Sequence, residues 1–142
     1  MRVLICGDRN WRDKATIREV VMRIPLDWTV MTGVARGADE WADFYARARG
    51  LDVIQFPARW DEHDHLGRTA VPCRCPYLAE RCKAAGIRRN QQMLAEGRPD
   101  LVIYFHKSLE RSKGTRDMVR RARAAGVAVY DGRAWSRQKE AS

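Results

Sequence analysis

Five short apolar runs, Arg2–Cys6, Trp28–Met31, Leu51–Phe56, Asp100–Phe105 and Val127–Tyr130, alternate along this chain with stretches of helical periodicity. Runs that stay apolar without a polar alternation suit strands buried on both faces, and such strands belong to parallel sheets covered by helices. The alternation therefore predicts an α/β fold: a Rossmann-like three-layer sandwich around a mainly parallel five-stranded sheet. Right-handed crossovers put helices on both faces. A strand order of 3-2-1-4-5 opens a crevice between the first and fourth strands, where the loops at Gly7, Gly33 and Gly114 meet. The helical stretches read as Asp13–Arg23, with Ile17, Val20, Val21 and Ile24 on one face; Glu40–Arg49, with a core stripe of Trp41, Tyr45 and Ala48; a segment from Ile87; and one after Gly114-Thr115, with Met118, Val119, Ala122 and Ala125 inward.

The 142 residues fit one domain over 1–132, with a Cys/His-rich insertion at about 61–84 and a polar tail at 133–142. A formal charge of +9 points to an anionic partner: nucleotide, nucleic acid or phosphorylated metabolite. No apolar run reaches the length of a membrane span, so a cytoplasmic protein with no membrane partner is expected. Four cysteines in that setting are unlikely disulfides. Cys6 reads as a small core residue, and Trp11 as a side chain packed under the first helix.

The stretch from Thr32 to Asp39 runs strand, glycine-bearing turn, helix. That order lets backbone N–H groups and a helix N-terminus converge on a phosphate. Thr32, Gly33, Arg36, Gly37, Ala38 and Asp39 are its candidates, with both glycines free to adopt left-handed angles. It lacks the Lys-Ser/Thr ending of a P-loop and the third glycine of the dinucleotide fingerprint, so an ordinary strand-to-helix turn accounts for it about as well. Gly7, Asp8 and Arg9 stand at the carboxyl end of the first strand and are candidates by position. A plain polar loop is the competing reading.

Four motifs in order, Gly7-Asp8-Arg9, Thr32–Asp39, Arg89-Asn90-Gln91-Gln92-Met93 and Lys113-Gly114-Thr115-Arg116-Asp117, resemble the SLOG superfamily. That group includes DNA-processing protein A (Smf) and the LONELY GUY phosphoribohydrolases, and the likeness is to its YspA/YpsA-related branch of bacterial and phage proteins. The resemblance covers about residues 1–131. It implies a site for a nucleotide or an ADP-ribose-like ligand, with phosphate on the Gly33–Asp39 turn and on Lys113-Gly114-Thr115, and Asn90 nearby. It also implies a phosphoribohydrolase alternative. Arg89, four residues before Met93, matches the Arg of the Arg-x-x-x-Met motif, and Asp117 falls where a catalytic Glu follows Gly-Thr. A carboxylate there would stabilise oxocarbenium character on the ribose. Asp117 is one methylene shorter than Glu, Met118 replaces a second Glu, and Arg111-Ser112-Lys113 replaces Pro-Gly-Gly. These departures favour binding, as sensor or sequestering protein, over catalysis. DNA-processing protein A supplies a third reading, nucleic-acid binding. The resemblance also makes a homodimer plausible.

Cys73-x-Cys75 and Cys82, with His63 or His65, form the ligand set of a closed tetrahedral zinc site. A proline-bearing insertion poor in apolar residues would gain order from such a metal. Three unconnected thiols, or one reactive thiol, are the alternatives. Within the resemblance, His63 falls at a Trp-x-x-His position after Trp60, a place in the ligand pocket that would free His65 for zinc; both remain candidates for the fourth ligand. The zinc would be structural, stapling the loop over the pocket.

Overall fold

The computed structural model describes residues 1–135. Five parallel strands, β1 (Arg2–Gly7), β2 (Thr29–Thr32), β3 (Asp52–Gln55), β4 (Leu101–Phe105) and β5 (Ala128–Asp131), form one sheet in the order β3-β2-β1-β4-β5. Every strand pair is parallel, with Val3 opposite both Val30 and Leu101. Helices α1 (Lys14–Met22), α2 (Ala38–Ala48), α3 (Ala85–Gln92) and α4 (Gly114–Ala124) complete the three layers.

Side-chain alternation along the strands divides the interior into two cores. Val3, Ile5, Val30, Ile103 and Phe105 pack with Ile17, Val20 and Val21 of α1 and with Ala38, Ala42 and Ala46 of α2. On the opposite face Leu4, Met31 and Val102 meet Met93, Met118 and Ala122. Asp13 caps α1 by accepting from the Thr16 N–H at 3.3 Å. At the other end, Arg49 donates to the carbonyl of Val21 in the last turn and to that of Ile24 just beyond it.

The stripe expected on α2 is displaced. Ala38, Ala42 and Ala46 are fully buried, Trp41 and Tyr45 lie half-buried at the margin, and Ala48 is exposed. Small side chains four residues apart let the helix lie close on the sheet, where two large rings could not fit. Trp11 packs inward as expected, edge to face with Phe105 at 5.6 Å between centroids. Residues 93–97 continue α3 as a wide π turn, ended by Arg98 in a left-handed conformation at φ 48°.

Arg133 and Ala134, read as the start of the polar tail, belong to a helical turn at 132–135 that buries Trp135 in the first core. The rest of that stretch, 136–142, lies outside the described residues. No helix among the described residues is long and apolar enough to cross a membrane.

Candidate functional site

The carboxyl ends of β1, β2 and β4 open into a cleft of about 570 Å³. Its walls come from Gly7, Asp8 and Arg9 after β1, Gly33, Ala35 and Asp39 around the β2 turn, Arg89 and Asn90 on α3, and Arg111 to Thr115 at the start of α4. This is the crevice that the strand order places between β1 and β4. A second, shallower depression at the amino edge of the sheet is lined by Arg2, Asp27, Glu96, Arg98 and Asp100 among others.

One polar network holds the floor. Arg89 donates through Nη1 to the Gly33 carbonyl at 2.6 Å and to the Phe56 carbonyl at 3.3 Å, and through Nε to Asn90 Oδ1 at 3.2 Å. Asp39 Oδ2 accepts from the N–H groups of Gly33 at 3.1 Å and Ala35 at 3.4 Å. A side chain at Gly33 would collide with both partners, its Cβ falling 2.7 Å from Arg89 Cζ and 2.9 Å from Asp39 Oδ2. The turn is therefore folded around its own carboxylate, which takes up two of the N–H groups that a phosphate would otherwise use. Between them Val34 sits in the left-handed region at φ 58°, an unusual conformation for a β-branched residue.

Burial pushes the Asp39 carboxyl up to about 6, against the pull of Arg89 and of the N–H groups of Ala35, Gly33 and Gly7. A carboxyl that binds its proton more tightly folded than unfolded lends stability that is complete below its unfolded value and lost as the pH rises through about 6. Denaturation at pH 5 and pH 7 should therefore show a larger gain at the lower pH for the wild type than for Asp39→Asn, by about 1–2 kcal/mol. Equal gains would mean that Asp39 does not titrate in this window.

The second half of the network joins α3 to α4. Asn90 is buried and donates through Nδ2 to the Gly114 carbonyl at 3.1 Å and to Asp117 Oδ2 at 3.2 Å. Arg121 Nε approaches Asp117 Oδ1 and Oδ2 at 3.0 and 2.9 Å. Asp117, the candidate catalytic carboxylate of the phosphoribohydrolase alternative, is thus buried and engaged, and it is not among the residues lining the cleft. By contrast, a Cβ on Gly114 would meet nothing within 4 Å, so the first turn of α4 faces open space. The Thr115 N–H of that turn donates to Ser112 Oγ at 3.0 Å.

Of the expected ligand-binding residues, Gly7, Asp8, Arg9, Gly33, Asp39, Arg89, Asn90, Lys113, Gly114 and Thr115 line the cleft together. Thr32, Arg36, Gly37 and Ala38 do not. Thr32 is buried against Asp43, Arg36 is exposed, and Gly37 and Ala38 pack on the loop after β1, with Ala38 N–H donating to the Asp8 carbonyl at 3.1 Å.

The insertion brings His63, Cys73, Cys75 and Cys82 together, their donor atoms all within 4.8 Å of one another. His63 Nδ1 lies 3.6 Å from Cys73 Sγ, while its Nε2 lies 2.7 Å from the Ala79 carbonyl. Backbone N–H groups of Asp64 and Lys83 point at Cys73 Sγ (3.2 Å) and Cys75 Sγ (3.3 Å). Burial opposes a thiolate at Cys73, but bonds from Cys75, His63, Asp64 and Cys82 outweigh it and bring the thiol down to about 6. His65, the other candidate for the fourth ligand, stands outside the cluster. It stacks between His63 and Tyr77 and its Nε2 lies 2.8 Å from the Cys75 carbonyl. His63 joins the three sulfurs because its ring turns inward to Cys73, whatever its spacing from Trp60.

Trp60, Lys83, His106 and Arg111 line the cleft without having been singled out from the sequence. His106 follows β4 directly, so the strand-end rule that picked Asp8 also reaches it. Its Nε2 lies 4.0 Å from Asp8 Oδ2. Trp60 and Lys83 lie in or beside the insertion, where no periodicity marks a direction. Asp64 was also missed, yet its carboxylate shapes the insertion by accepting from the Arg68 and Thr69 N–H groups at 2.8 and 2.9 Å.

Three comparisons bear on this arrangement. A model of the YspA, cpYpsA-related SLOG family matches residues 1–63. The gene 61 protein of Mycobacterium phage D29 is 34% identical over 139 residues, covering 92% of this chain and 94% of the relative. The X-ray structure of DNA processing protein A from Streptococcus pneumoniae superposes with a TM-score of 0.67 at 17% identity, over 92% of this chain. The chain spans 49% of that structure's length, and at this identity the likeness shows the fold.

Proposed function

The chain belongs to the YspA, cpYpsA-related SLOG family, and on that premise we propose that its cleft binds a nucleotide or a nucleotide-derived, ADP-ribose-like ligand and holds it without turnover, as a sensor or sequestering protein. The observation that carries this reading is the composition of the cleft wall. Arg9, Lys83, Arg89, Arg111 and Lys113 bring five cations to it, together with the open first turn of α4. Forked guanidinium groups and helix N–H groups are the donors that a phosphate ester needs. The two carboxylates of the wall, Asp8 and Asp39, are weak candidates for catalysis. Asp39 is committed to its own turn, and Asp8 Oδ1 accepts from the Asn10 N–H at 2.9 Å. Asp117 lies outside, which argues against glycosidic cleavage.

Calorimetry with AMP and with ADP-ribose tests the proposal, with the filtrate assayed for free base. Gly114→Ala should leave stability within about 1 kcal/mol, since alanine suits a helix and meets no neighbour. It should weaken AMP by about tenfold, because the methyl group stands where the phosphate would approach. Release of base would make the protein an enzyme. Binding of single-stranded DNA with a steep salt dependence, and of neither nucleotide, would move the reading to nucleic acid.

We also propose that His63, Cys73, Cys75 and Cys82 hold a structural zinc ion. Three soft thiolates and one imidazole fit zinc, whose bonds of about 2.3 Å to sulfur would set the sulfur atoms about 3.8 Å apart, a modest contraction of the cluster. Four protein ligands leave no position for substrate. Elemental analysis should find one zinc per chain, and Cys82→Ser should lose it to a competing chelator at a concentration that spares the wild type. Zinc retained equally by both would remove Cys82 from the site.

A further inference from the structure

Three consecutive residues of α3 reach three different places. Arg88 turns to the insertion, donating through Nε to the Val71 carbonyl at 3.1 Å, through Nη1 to the Glu62 carbonyl at 3.2 Å and through Nη2 to Cys82 Sγ at 3.5 Å. Arg89 holds the Gly33 turn and Asn90 holds the first turn of α4. The helix has no side-chain cap at its amino end. Just before that end, the Lys83 N–H points at Cys75 Sγ at 3.3 Å and the Cys82 N–H donates to the Trp60 carbonyl at 2.7 Å. Trp60 and Lys83 are themselves cleft wall, and the Arg9 guanidinium, from the loop after β1, stands 5.2 Å from the centroid of the Trp60 ring.

We infer that the cysteine cluster and the cleft form one linked binding unit, in which a metal on His63, Cys73, Cys75 and Cys82 positions Trp60, Lys83 and Arg89 for an anionic nucleotide, so that metal and nucleotide raise each other's affinity. The inference rests on the ligand and metal readings given above. The physical ground is the poverty of the insertion's own core. Residues 56–84 contain no helix or strand, and three of the four residues buried in their cluster are the cysteines themselves. Order in this segment depends on whatever holds those sulfurs together. Any ligand that touches Trp60, Lys83 and Arg89 draws on that same order. Linkage then requires the effect to be equal in both directions.

The test measures AMP affinity by calorimetry on zinc-loaded and chelator-stripped protein, and zinc affinity by chelator competition with and without AMP. About a tenfold loss of AMP affinity on stripping is expected, with the same factor in zinc affinity when AMP is present. Arg88→Ala keeps all four metal ligands; it should still bind zinc and AMP, with the coupling factor reduced toward one. Should stripping unfold the sheet as judged by circular dichroism, the zinc affinities of wild type and Arg88→Ala with and without AMP decide alone. AMP binding that is equal with and without bound zinc overturns the inference and leaves the nucleotide reading standing. AMP binding to neither form overturns both.

Discussion

Gly37→Ala should lower stability by at least about 3 kcal/mol, or prevent folding, although it adds a single methyl group. Gly37 adopts φ 78° and ψ −124°, a conformation open to glycine and costly for any L side chain. Its Cβ would lie 2.6 Å from the Arg9 carbonyl carbon and press on the carbonyl oxygens of Asp8 and Arg9. Those atoms cannot retreat. Asp8 donates its N–H to the Phe105 carbonyl at 2.9 Å and accepts from the Ala38 N–H at 3.1 Å, which ties the loop to β4 and α2 at once. Gly50→Ala is the comparison: φ is 84° there, but no atom lies within 4 Å, so only the backbone cost of about 1 kcal/mol remains. Urea denaturation of both variants separates strain from collision. Equal losses would show that the collision at Gly37 is relieved at no cost.

Arg89→Met should cost about 3–5 kcal/mol at pH 7, the penalty for leaving a buried carboxylate without its cation. Asp39 is 4% exposed, and its remaining partners are backbone N–H groups. The same substitution frees the Gly33 and Phe56 carbonyls that Arg89 Nη1 now satisfies. Asp39→Asn in the Arg89→Met background removes the stranded charge, so the double variant should be more stable than Arg89→Met alone by about 1–3 kcal/mol. The penalty of Arg89→Met should also shrink toward pH 5, where Asp39 takes up a proton below its value of about 6. Denaturation midpoints at the two pH values read both effects. A penalty independent of pH and additive with Asp39→Asn would mean that the two side chains do not sense one another.

The sheet was legible because buried parallel strands announce themselves as unbroken apolar runs, and β1 and β4 are of that kind. The strand-end rule then reached Asp8, Gly33 and Gly114, while Arg89 and Asn90, inside α3, came only from the family resemblance. What it could not convey was which of two roles a polar residue at a strand end takes. Asp39 and Asp117 both sit in the first turn of a helix, where an acid suits the dipole. Yet one folds a turn around itself, and the other is claimed by Arg121 one turn along its own helix and by Asn90 from α3. The second partner is a tertiary contact and leaves no local trace. The inner stripe of α2 was misplaced for a related reason: hydrophobic weight favours Trp41 and Tyr45, whereas closeness to the sheet favours alanine. In the insertion, residue types announced a His/Cys cluster, but choosing between His63 and His65 required the direction of each ring.

The position of β1 at the centre of the sheet governs when the cleft can exist. It leaves the ribosome before the other strands, but its two neighbours come from β2 and, far later, β4; Arg2 and Asp100, bonded across that junction, are 98 residues apart. No hairpin can nucleate this sheet, since every pairing waits for a crossover to close. Until β4 docks, the nascent chain has one flank of β1 bare and no floor between Gly7 and Gly114. The cleft therefore cannot form on a growing or truncated chain before synthesis has passed the fourth strand.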